Sequence, residues 1–353
     1  MSEAIIVLII LGVAATLFFT EVIPLPATAM LVPIGLSLAG ILEPEVAFSY
    51  WGNKWVIIFM AMFMVGEAVF RTGLAKKIGN VTVKAAGRSR VKLIVLVMLV
   101  IGVMSAFLSN TGSTAVFIPI VIAMAVGTKV KASTLLMPMA FAASLGGTMT
   151  LIGTPPNGIV AGVLDEAEGL EPFGFFEYAK IGVFMIILGT AYMAVIGHKL
   201  LPTGEDSNAQ AEASDKDIPD EQLRKSKMWI AVVIFVFVIF AMATGLIPFQ
   251  TAAMLGAVAA IVTGCITMKE AFNSVSWTTV FLFAGMLPMS KAMEITGAAE
   301  MIAQGITDVV SSPYGILAAT FLVTALITNF MSNTATTALF APIGIAIAQK
   351  AGV

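Results

Sequence analysis

The chain has 353 residues, of which 59% are hydrophobic and 11% are charged. Soluble domains contain roughly 45–50% apolar and about 25% charged residues, so this composition excludes a soluble globular protein and predicts an all-α protein that crosses the membrane several times. The net charge of −2 indicates no partner, because in a membrane protein the distribution of charge between loops is more informative than the sum.

Apolar stretches of spanning length, roughly 17–25 residues, follow one another along the chain. They cover about 4–20, 24–42, 55–70, 132–150, 179–200, 228–245, 249–267 and 277–293. Two longer apolar stretches, 91–127 and 313–349, differ from these because each contains a group of small polar residues. Cys265 is the single cysteine, so the chain has no disulfide framework.

The polar residues of the two longer stretches include the tripeptide Ser-Asn-Thr, at 109–111 and again at 332–334. An unsatisfied polar group at membrane depth costs several kcal/mol. Serine and threonine hydroxyls can bond back to a helix backbone or join helices, which leaves Asn110 and Asn333 as the stronger indicators. Two buried asparagines in matched positions predict a binding site for an ion or a solute.

The two motifs belong to an internal duplication, in which residues recur at a shift of 223 positions. The pairs include Ser105 with Thr328, Phe107 with Phe330, Asn110 with Asn333, Phe117 with Phe340 and Pro119 with Pro342. A polar segment at 202–227 separates the copies and has the composition of a solvated linker. The sequence therefore predicts a first repeat at 1–201 and a second repeat at 228–353.

Loop charges predict that the two repeats have opposite orientations. The segment 71–92 carries seven basic residues and no acid, whereas its counterpart in the second repeat carries Glu294, Glu300 and Asp308 and no base. Basic loops face the cytoplasm, which places the first segment inside, the second outside and the 202–227 linker in the cytoplasm. The acidic connection at 165–177 also fits the exterior. Inverted repeats are typical of secondary transporters with a site near the membrane midplane.

Each motif-bearing stretch is long enough for two crossings or for a re-entrant helical hairpin, and both alternatives return the chain to the same side. A hairpin, at about 91–127 and about 313–349, is favoured because non-helical backbone is tolerated inside a protein-lined cavity. One hairpin would enter from each side, which brings both tips toward the centre.

A break is predicted in the helix that follows the first hairpin, at about 132–165. Gly153-Thr154-Pro155-Pro156-Asn157 lies inside an apolar stretch, and adjacent prolines remove backbone donors and clash with a continuing helix. A broken span exposes carbonyls that can hold a cation and a helix start that can hold an anion. A simple proline kink is the alternative.

Ionisable groups are scarce in the predicted spans. His198 is the only histidine and lies at a span end, and Glu67 can pair with Arg71 four residues later on one helix face. A proton relay would need more such groups, so we expect a metal cation held by neutral oxygens, and Na⁺ suits hard oxygen ligands. No cluster of histidine and cysteine indicates zinc, and no catalytic nucleophile with a base is recognisable, so we expect no enzyme activity and no cofactor.

Paired Ser-Asn-Thr motifs with a Gly-Thr-Pro-Pro-Asn break in inverted repeats resemble the divalent anion/sodium symporter family of di- and tricarboxylate transporters, over essentially the whole chain. The resemblance implies a homodimer in the inner (plasma) membrane, with a mobile transport domain that moves like an elevator. It also implies two sodium sites, with ligands at Ser105, Ser109, Asn110 and Gly153 in the first, and at Thr328, Met331 and Asn333 in the second. Substrate contacts are implied for Asn110, Thr111, Thr154, Pro155, Asn333 and Thr334.

The resemblance leads to a functional hypothesis of Na⁺-coupled symport of a C4-dicarboxylate such as succinate, malate or fumarate. Sodium-independent dicarboxylate exchange, citrate transport and sulfate transport are the alternatives within transport, and an ion channel is the alternative outside it. A shift of Gly153–Asn157 by 223 residues predicts a second break at about 376–380, beyond Val353. We therefore expect the chain to be a fragment that lacks this break and a final span.

Overall fold

The structure is a computed structural model of the chain, and it describes residues 2–86, 89–128, 130–167, 169–201, 223–307 and 312–351. Helices and connecting turns make up these residues, with no strand among them, so the predicted all-α architecture is confirmed. The helices are α1 (Glu3–Thr20), α2 (Leu25–Leu38), α3 (Pro44–Ser49), α4 (Lys54–Arg71), α5 (Leu74–Ala86), α6 (Arg90–Ser105), α7 (Asn110–Thr128), α8 (Ser133–Gly147), α9 (Pro155–Glu166), α10 (Ala179–Leu200), α11 (Met228–Thr244), α12 (Phe249–Val262), α13 (Met268–Ser274), α14 (Trp277–Thr296), α15 (Ala298–Thr307), α16 (Pro313–Ile327) and α17 (Asn333–Ala351).

Helix lengths agree with a multi-pass membrane protein. Within the described ranges, four helical segments are long and apolar enough to cross a bilayer: Glu3–Thr20, Pro44–Arg71, Ala179–Leu200 and Lys225–Thr244. Shorter apolar helices include α2, α8, α12 and α16. The predicted linker at 202–227 falls largely outside the described residues, as do Arg88, Glu168 and Asp308, which contribute to the predicted orientation.

Local sequence explains where several helices begin and end. Proline is the first residue of α3, α9 and α16, a position where the missing N–H has no helical acceptor to lose. Gly245 and Gly297, with φ of 67° and 73°, end α11 and α14, because glycine adopts left-handed backbone angles without a steric penalty. Thr267 and Glu270 form a capping box at the start of α13.

The chain divides into two compact units, and segments of both predicted repeats contribute to each. The first unit contains the described residues of Met1–Phe59, Gly158–Pro172 and Ser276–Val353. Its central helix is α14, which is buried over most of its length and packs against α2 and α17. A Cβ at Gly285 would overlap the backbone of Ala29, so the glycine allows α14 and α2 to pack closely.

The second unit contains the described residues of Met60–Asn157 and Phe173–Val275. Its central helix is α8, which packs against α6, α7 and α10. The closest approach joins Gly146 of α8 to Gly102 of α6, where a Cβ on Gly146 would overlap the Gly102 backbone. Small residues at such crossings let helix backbones approach in the membrane, where dispersion contacts help hold helices together. This packing fixes the end of α8 beside the end of α6.

Candidate functional site

The first Ser-Asn-Thr motif lies where one helix ends and the next begins. Helix α6 ends at Ser105, residues 106–109 are not helical, and α7 begins at Asn110. Ser109 caps α7, because its Oγ accepts a hydrogen bond of 3.1 Å from Gly112 N and its carbonyl accepts one of 2.8 Å from Ser113 N. The serine of the motif thus determines where α7 starts and places Asn110 at its first position.

The second motif has the same local structure in the other unit. Helix α16 ends at Ile327 and α17 begins at Asn333. Ser332 Oγ accepts from Ala335 N at 3.2 Å, and Ser332 O accepts from Thr336 N at 2.9 Å. The two copies of the motif therefore use serine as a helix cap and asparagine as the first helical residue.

A hydroxyl at the end of the preceding helix contacts each asparagine. Ser105 Oγ lies 2.7 Å from Asn110 Oδ1, and Thr328 Oγ1 donates to Asn333 Oδ1 at 2.6 Å. The two residues of each pair are five positions apart. The two repeats thus share this side-chain contact as well as their residue types. Each hydroxyl–amide pair presents oxygen atoms at a helix break.

The first pair lies within a larger cluster of oxygen atoms. Asn110 Oδ1 is 2.7 Å from Ser105 Oγ, 3.0 Å from Ala143 O and 3.2 Å from Gly153 O. Ser105 Oγ is also 2.7 Å from Ala143 O, and its single proton can serve only one of these acceptors. With Oδ1 turned inward, four oxygens converge and a cation between them would relieve their repulsion. With the amide rotated, its nitrogen lies within donating distance of Gly153 O, Ser105 Oγ and Ala143 O, and its two protons can serve two of them at a time.

The cluster has the donor set that an alkali cation requires. Its oxygens come from a hydroxyl, a side-chain amide and two backbone carbonyls, which are hard neutral ligands. Ser105 is fully buried and Asn110 is half-buried, so the site excludes much of the surrounding water. Among the described residues, no group of three or more His, Cys, Asp or Glu is placed to hold a metal. The hydroxyl, amide and carbonyl oxygens of the cluster are ligands of the kind that suits Na⁺.

The broken helix supplies one wall of this cluster. Helix α8 ends at Gly147 and α9 begins at Pro155, so the break that the two prolines predict is present. A Cβ at Gly153 would overlap Gly147 O, and one at Gly147 would overlap the Asn110 amide. Glycine is thus required at Gly147 for the chain to pass this close to Asn110, and at Gly153 for it to pass this close to Gly147.

The start of α9 presents few backbone donors. Pro155 and Pro156 have no N–H, and Asn157 N donates to Thr154 O at 3.1 Å. The side chain of Thr154, 3.5 Å from Asn110 Nδ2, and the positive end of the helix dipole therefore remain as the groups that could attract an anion there.

The structure brings together most of the residues predicted for the first site. Ser105, Asn110, Gly153 and Thr154 lie in one cluster, next to the half-buried Pro155 and with Thr111 exposed on α7. Ser109 lies at the same helix start, where its Oγ serves as the cap. Sequence reasoning missed Ala143, which contributes only a backbone carbonyl and so has no side-chain signal.

The second predicted site lies in the other unit and is more open. Asn333 is exposed, Thr334 and Thr328 are half-buried, and Met331 is 7% exposed. Asn333 O accepts from Thr337 Oγ1 at 2.8 Å, which strengthens the first turn of α17. The contacts near Asn333 come from α16 and α17 themselves, whereas Asn110 is also contacted by the broken helix.

The predicted pair of Glu67 and Arg71 is present and belongs to a larger network. Arg71 Nε lies 2.7 Å from Glu67 Oε1, and Arg71 Nη1 lies 3.7 Å from Glu270 Oε1. Arg224 contacts both oxygens of Glu270, at 2.8 and 3.2 Å. Partial burial acts to raise the pKa of Glu270, but hydrogen bonds from Arg224 and Thr267 outweigh it and lower this pKa to about 2. The predicted pairing of Glu67 with Arg71 is thus confirmed.

Comparison with known proteins identifies the family. The family model CitMHS, described as a citrate transporter, matches residues 15–353. The chain belongs to this transporter family. The resemblance to di- and tricarboxylate transporters, predicted from the motifs, is therefore confirmed.

Relatives of this transporter include proteins with and without a stated substrate. It is 38% identical over 211 residues to the uncharacterized transporter YfbS of Escherichia coli (strain K12), a match that covers 60% of this chain and 34% of YfbS. It is 26% identical over 386 residues to the sodium-dependent dicarboxylate transporter SdcS of Staphylococcus aureus (strain bovine RF122 / ET3-1), which covers 99% of this chain and 74% of SdcS. The chain therefore spans only part of these relatives.

A solved structure shares the fold of this transporter. The YdaH transporter of Alcanivorax borkumensis superimposes with a TM-score of 0.59 at 12% sequence identity, covering 91% of this chain and 73% of that chain. At this identity the likeness concerns the fold alone.

Proposed function

We propose that this transporter couples the uptake of a C4-dicarboxylate to Na⁺ across the plasma membrane. The observation that carries the proposal is the oxygen cluster of Ser105, Asn110, Ala143 and Gly153. Its oxygens are neutral and close together, so a cation can enter without a compensating carboxylate. Na⁺ entry would turn Asn110 Oδ1 inward, and Na⁺ loss would let the amide nitrogen take its place.

Charge balance supports coupling between the cation and a dianion. The two motif segments, 105–111 and 328–334, contain no lysine or arginine, so the protein offers no fixed cation there to offset two carboxylates. Bound Na⁺ would supply this charge, and binding of the anion would in turn favour binding of Na⁺. A transporter with this arrangement would carry little anion without the cation.

The substrate-contacting groups that we propose are side chains at the helix breaks. They are Asn110, Thr111, Thr154, Pro155, Asn333 and Thr334. Because the two prolines remove amide donors from the start of α9, hydroxyl and carboxamide groups would make the hydrogen bonds to the carboxylates. The name of SdcS, a sodium-dependent dicarboxylate transporter, supports a dicarboxylate as the anion.

Citrate is a second candidate substrate, since the matching family is described as citrate transporters. Citrate carries one more carboxylate than succinate and would require more compensating charge. Competition of each unlabelled anion against labelled succinate distinguishes the two candidates. Stronger inhibition by citrate than by malate or fumarate would favour the tricarboxylate.

We further propose a homodimer with an elevator-like movement, on the basis of family resemblance. The linker at 202–227 would lie in the cytoplasm, where its charged residues are solvated.

Substitution of the two asparagines tests the proposed function. In proteoliposomes, Asn110→Ala and Asn333→Ala should each lower Na⁺-driven succinate uptake by at least about tenfold, because each removes a carboxamide that would contact a charged species, and a hydrogen bond to a charged group contributes roughly 1.5–3 kcal/mol. Asn329→Ala is the matched control, since Asn329 lies in the same break as Asn333 and its side chain bonds back to Ala325 O. Full uptake by both alanine variants would contradict the assignment.

A further inference from the structure

The segment between α8 and α9, residues 148–154, is braced from several sides. Asn157 is 9% exposed, and its Nδ2 donates to Gly147 O at 3.0 Å and to Thr150 O at 2.8 Å. Both amide protons of Asn157 are thus donated to backbone carbonyls, one at the end of α8 and one within the 148–154 segment. The Asn157 side chain thereby joins the first turn of α9 to the last residue of α8.

Other contacts hold the same segment against its neighbours. Thr150 Oγ1 donates to Ala106 O, in the first motif's break. Leu151 N donates to Phe175 O at 3.0 Å, and Tyr178 Oη donates to Asn157 O at 2.8 Å. Burial raises the pKa of Tyr178 above its usual value, so its hydroxyl keeps the proton that it donates.

The braced segment carries part of the proposed Na⁺ site. Gly153 O is one of the oxygens around the Asn110 amide, and Gly147 is so close to that amide that a Cβ would overlap it. A change in the turn from Gly147 to Gly153 would therefore move a cation ligand directly. Backbone hydrogen bonds from Thr148 N to Leu145 O and from Met149 N to Gly146 O hold only the start of this turn to α8, so its later residues depend on contacts from outside the helix.

We propose that Asn157 is a positioning residue that, through Gly147 O and Thr150 O, holds the turn that carries Gly153 in the geometry required for Na⁺. The proposal rests on the proposed function, because it assigns Na⁺ to the Asn110 cluster. The side-chain hydrogen bonds of Asn157 in the described structure go to Gly147 and Thr150 and not to Asn110. Asn157 acts through two backbone carbonyls, so its loss should weaken Na⁺ binding more than it weakens binding of the anion.

Asn157→Ala and Asn157→Asp test the positioning role of Asn157 in complementary ways. Alanine removes both donors, and aspartate keeps the shape but presents a carboxylate to two carbonyl oxygens. Each variant should raise the Na⁺ concentration for half-maximal succinate uptake by about tenfold, the effect expected for two lost hydrogen bonds. The KM for succinate at saturating Na⁺ should change by less than about twofold in the same variants.

Two further variants calibrate this result. Tyr178→Phe removes a single hydrogen bond to the Asn157 backbone and should shift the Na⁺ dependence in the same direction, by less than Asn157→Ala. Thr190→Val is the matched control, because Thr190 is 6% exposed and its Oγ1 has no hydrogen-bond partner in the described structure. It should leave the Na⁺ dependence unchanged.

Hydrogen exchange in Na⁺-free protein provides a readout that does not depend on transport. Asn157→Ala should accelerate exchange of the amides of 148–153, and Thr190→Val should not. If Asn157→Ala leaves the exchange of these amides unchanged, Asn157 does not brace the segment and the proposal is wrong. If exchange accelerates but the Na⁺ dependence does not move, the segment is braced without positioning the cation, which also overturns the proposal. If succinate uptake by the wild type does not depend on Na⁺, both the proposed function and the role of Asn157 are contradicted. If wild-type uptake depends on Na⁺ and the Asn157 variants have the same Na⁺ dependence as the wild type, only the role of Asn157 is contradicted.

Discussion

At the residue scale, the two asparagines are suited to a site that alternates between bound and free states. A carboxamide has an acceptor and a donor of nearly equal shape. Around Asn110 the same position, 2.7 Å from Ser105 Oγ and 3.2 Å from Gly153 O, can be taken by the amide nitrogen as a donor, and in the proposed function the amide oxygen would take it when Na⁺ binds. An aspartate would keep a negative charge in the free state, at a cost that rises with burial. The amide avoids this cost.

Glu270 provides a residue-scale prediction about stability and pH. Its pKa falls from the usual value of 4.5 to about 2 in the folded protein, so the carboxylate stabilises the fold above about pH 4.5, and this contribution disappears as the pH falls toward 2. Glu270→Gln should lower the free energy of unfolding by about 1–2 kcal/mol at pH 7, allowing for solvent screening.

Unfolding in detergent, followed across the pH range, measures this effect. The difference between wild type and Glu270→Gln should narrow from about pH 4.5 downward, because Glu270 is protonated first in the unfolded protein and then, near pH 2, in the folded protein. Glu300→Gln, at an exposed position, serves as the control. A difference that persists unchanged at pH 2 would show that packing, and not charge, makes the contribution of Glu270.

The sequence predicts part of this network and not the rest. Glu67 and Arg71 are four residues apart on α4, so helical periodicity alone indicates their pairing. Arg224 and Glu270 are far apart in the chain from Arg71, and their approach depends on how α4 and α13 pack. No local pattern carries that information.

At the element scale, the break between α8 and α9 is predictable because its cause is covalent. Pro155 and Pro156 cannot continue a helix that runs through Gly153, and α9 starts at Pro155 in the structure. The carbonyl of Ala143 and the bracing by Asn157 could not be predicted in this way. Every residue has a backbone carbonyl, so the residue type does not reveal which carbonyl takes part in a site. The hydrogen-bond partners of Asn157 depend on the backbone path of the turn.

The close crossing of α6 and α8 gives an element-scale prediction. A Cβ on Gly146 would overlap the Gly102 backbone, and backbone atoms cannot rotate away as a side chain can. Gly146→Ala should therefore force the helices apart, destabilise the protein by about 1–3 kcal/mol, and weaken Na⁺ binding, because Ala143 O is on the same helix. Thermal unfolding in detergent with and without Na⁺ measures both effects.

Gly12→Ala is the matched control for this substitution. Gly12 also lies in a helix, and a Cβ there would meet nothing within 4 Å. Its replacement should leave the unfolding temperature and the Na⁺ dependence close to those of the wild type. If Gly146→Ala behaves like Gly12→Ala, the crossing tolerates more separation than the structure indicates.

At the scale of the whole molecule, the two halves of the chain are related by an internal duplication. The two motifs are 223 positions apart, yet they have the same serine cap and the same hydroxyl–amide contact. Composition predicts the membrane class and the motifs predict the family, both of which are confirmed. The inverted orientation, the re-entrant hairpins and the domain boundaries remain predictions. They depend on how distant segments of the chain are placed relative to the membrane, which local sequence patterns do not determine.

Succinate uptake by wild-type proteoliposomes under different ion gradients decides whether anion uptake is coupled to Na⁺. With an inward Na⁺ gradient, we expect labelled succinate to accumulate above its external concentration, and dissipation of that gradient with a sodium ionophore should abolish the accumulation. An equal inward K⁺ gradient is the control and should drive no accumulation. Equal succinate accumulation in the presence and absence of Na⁺ would contradict the claim that this transporter couples anion uptake to sodium.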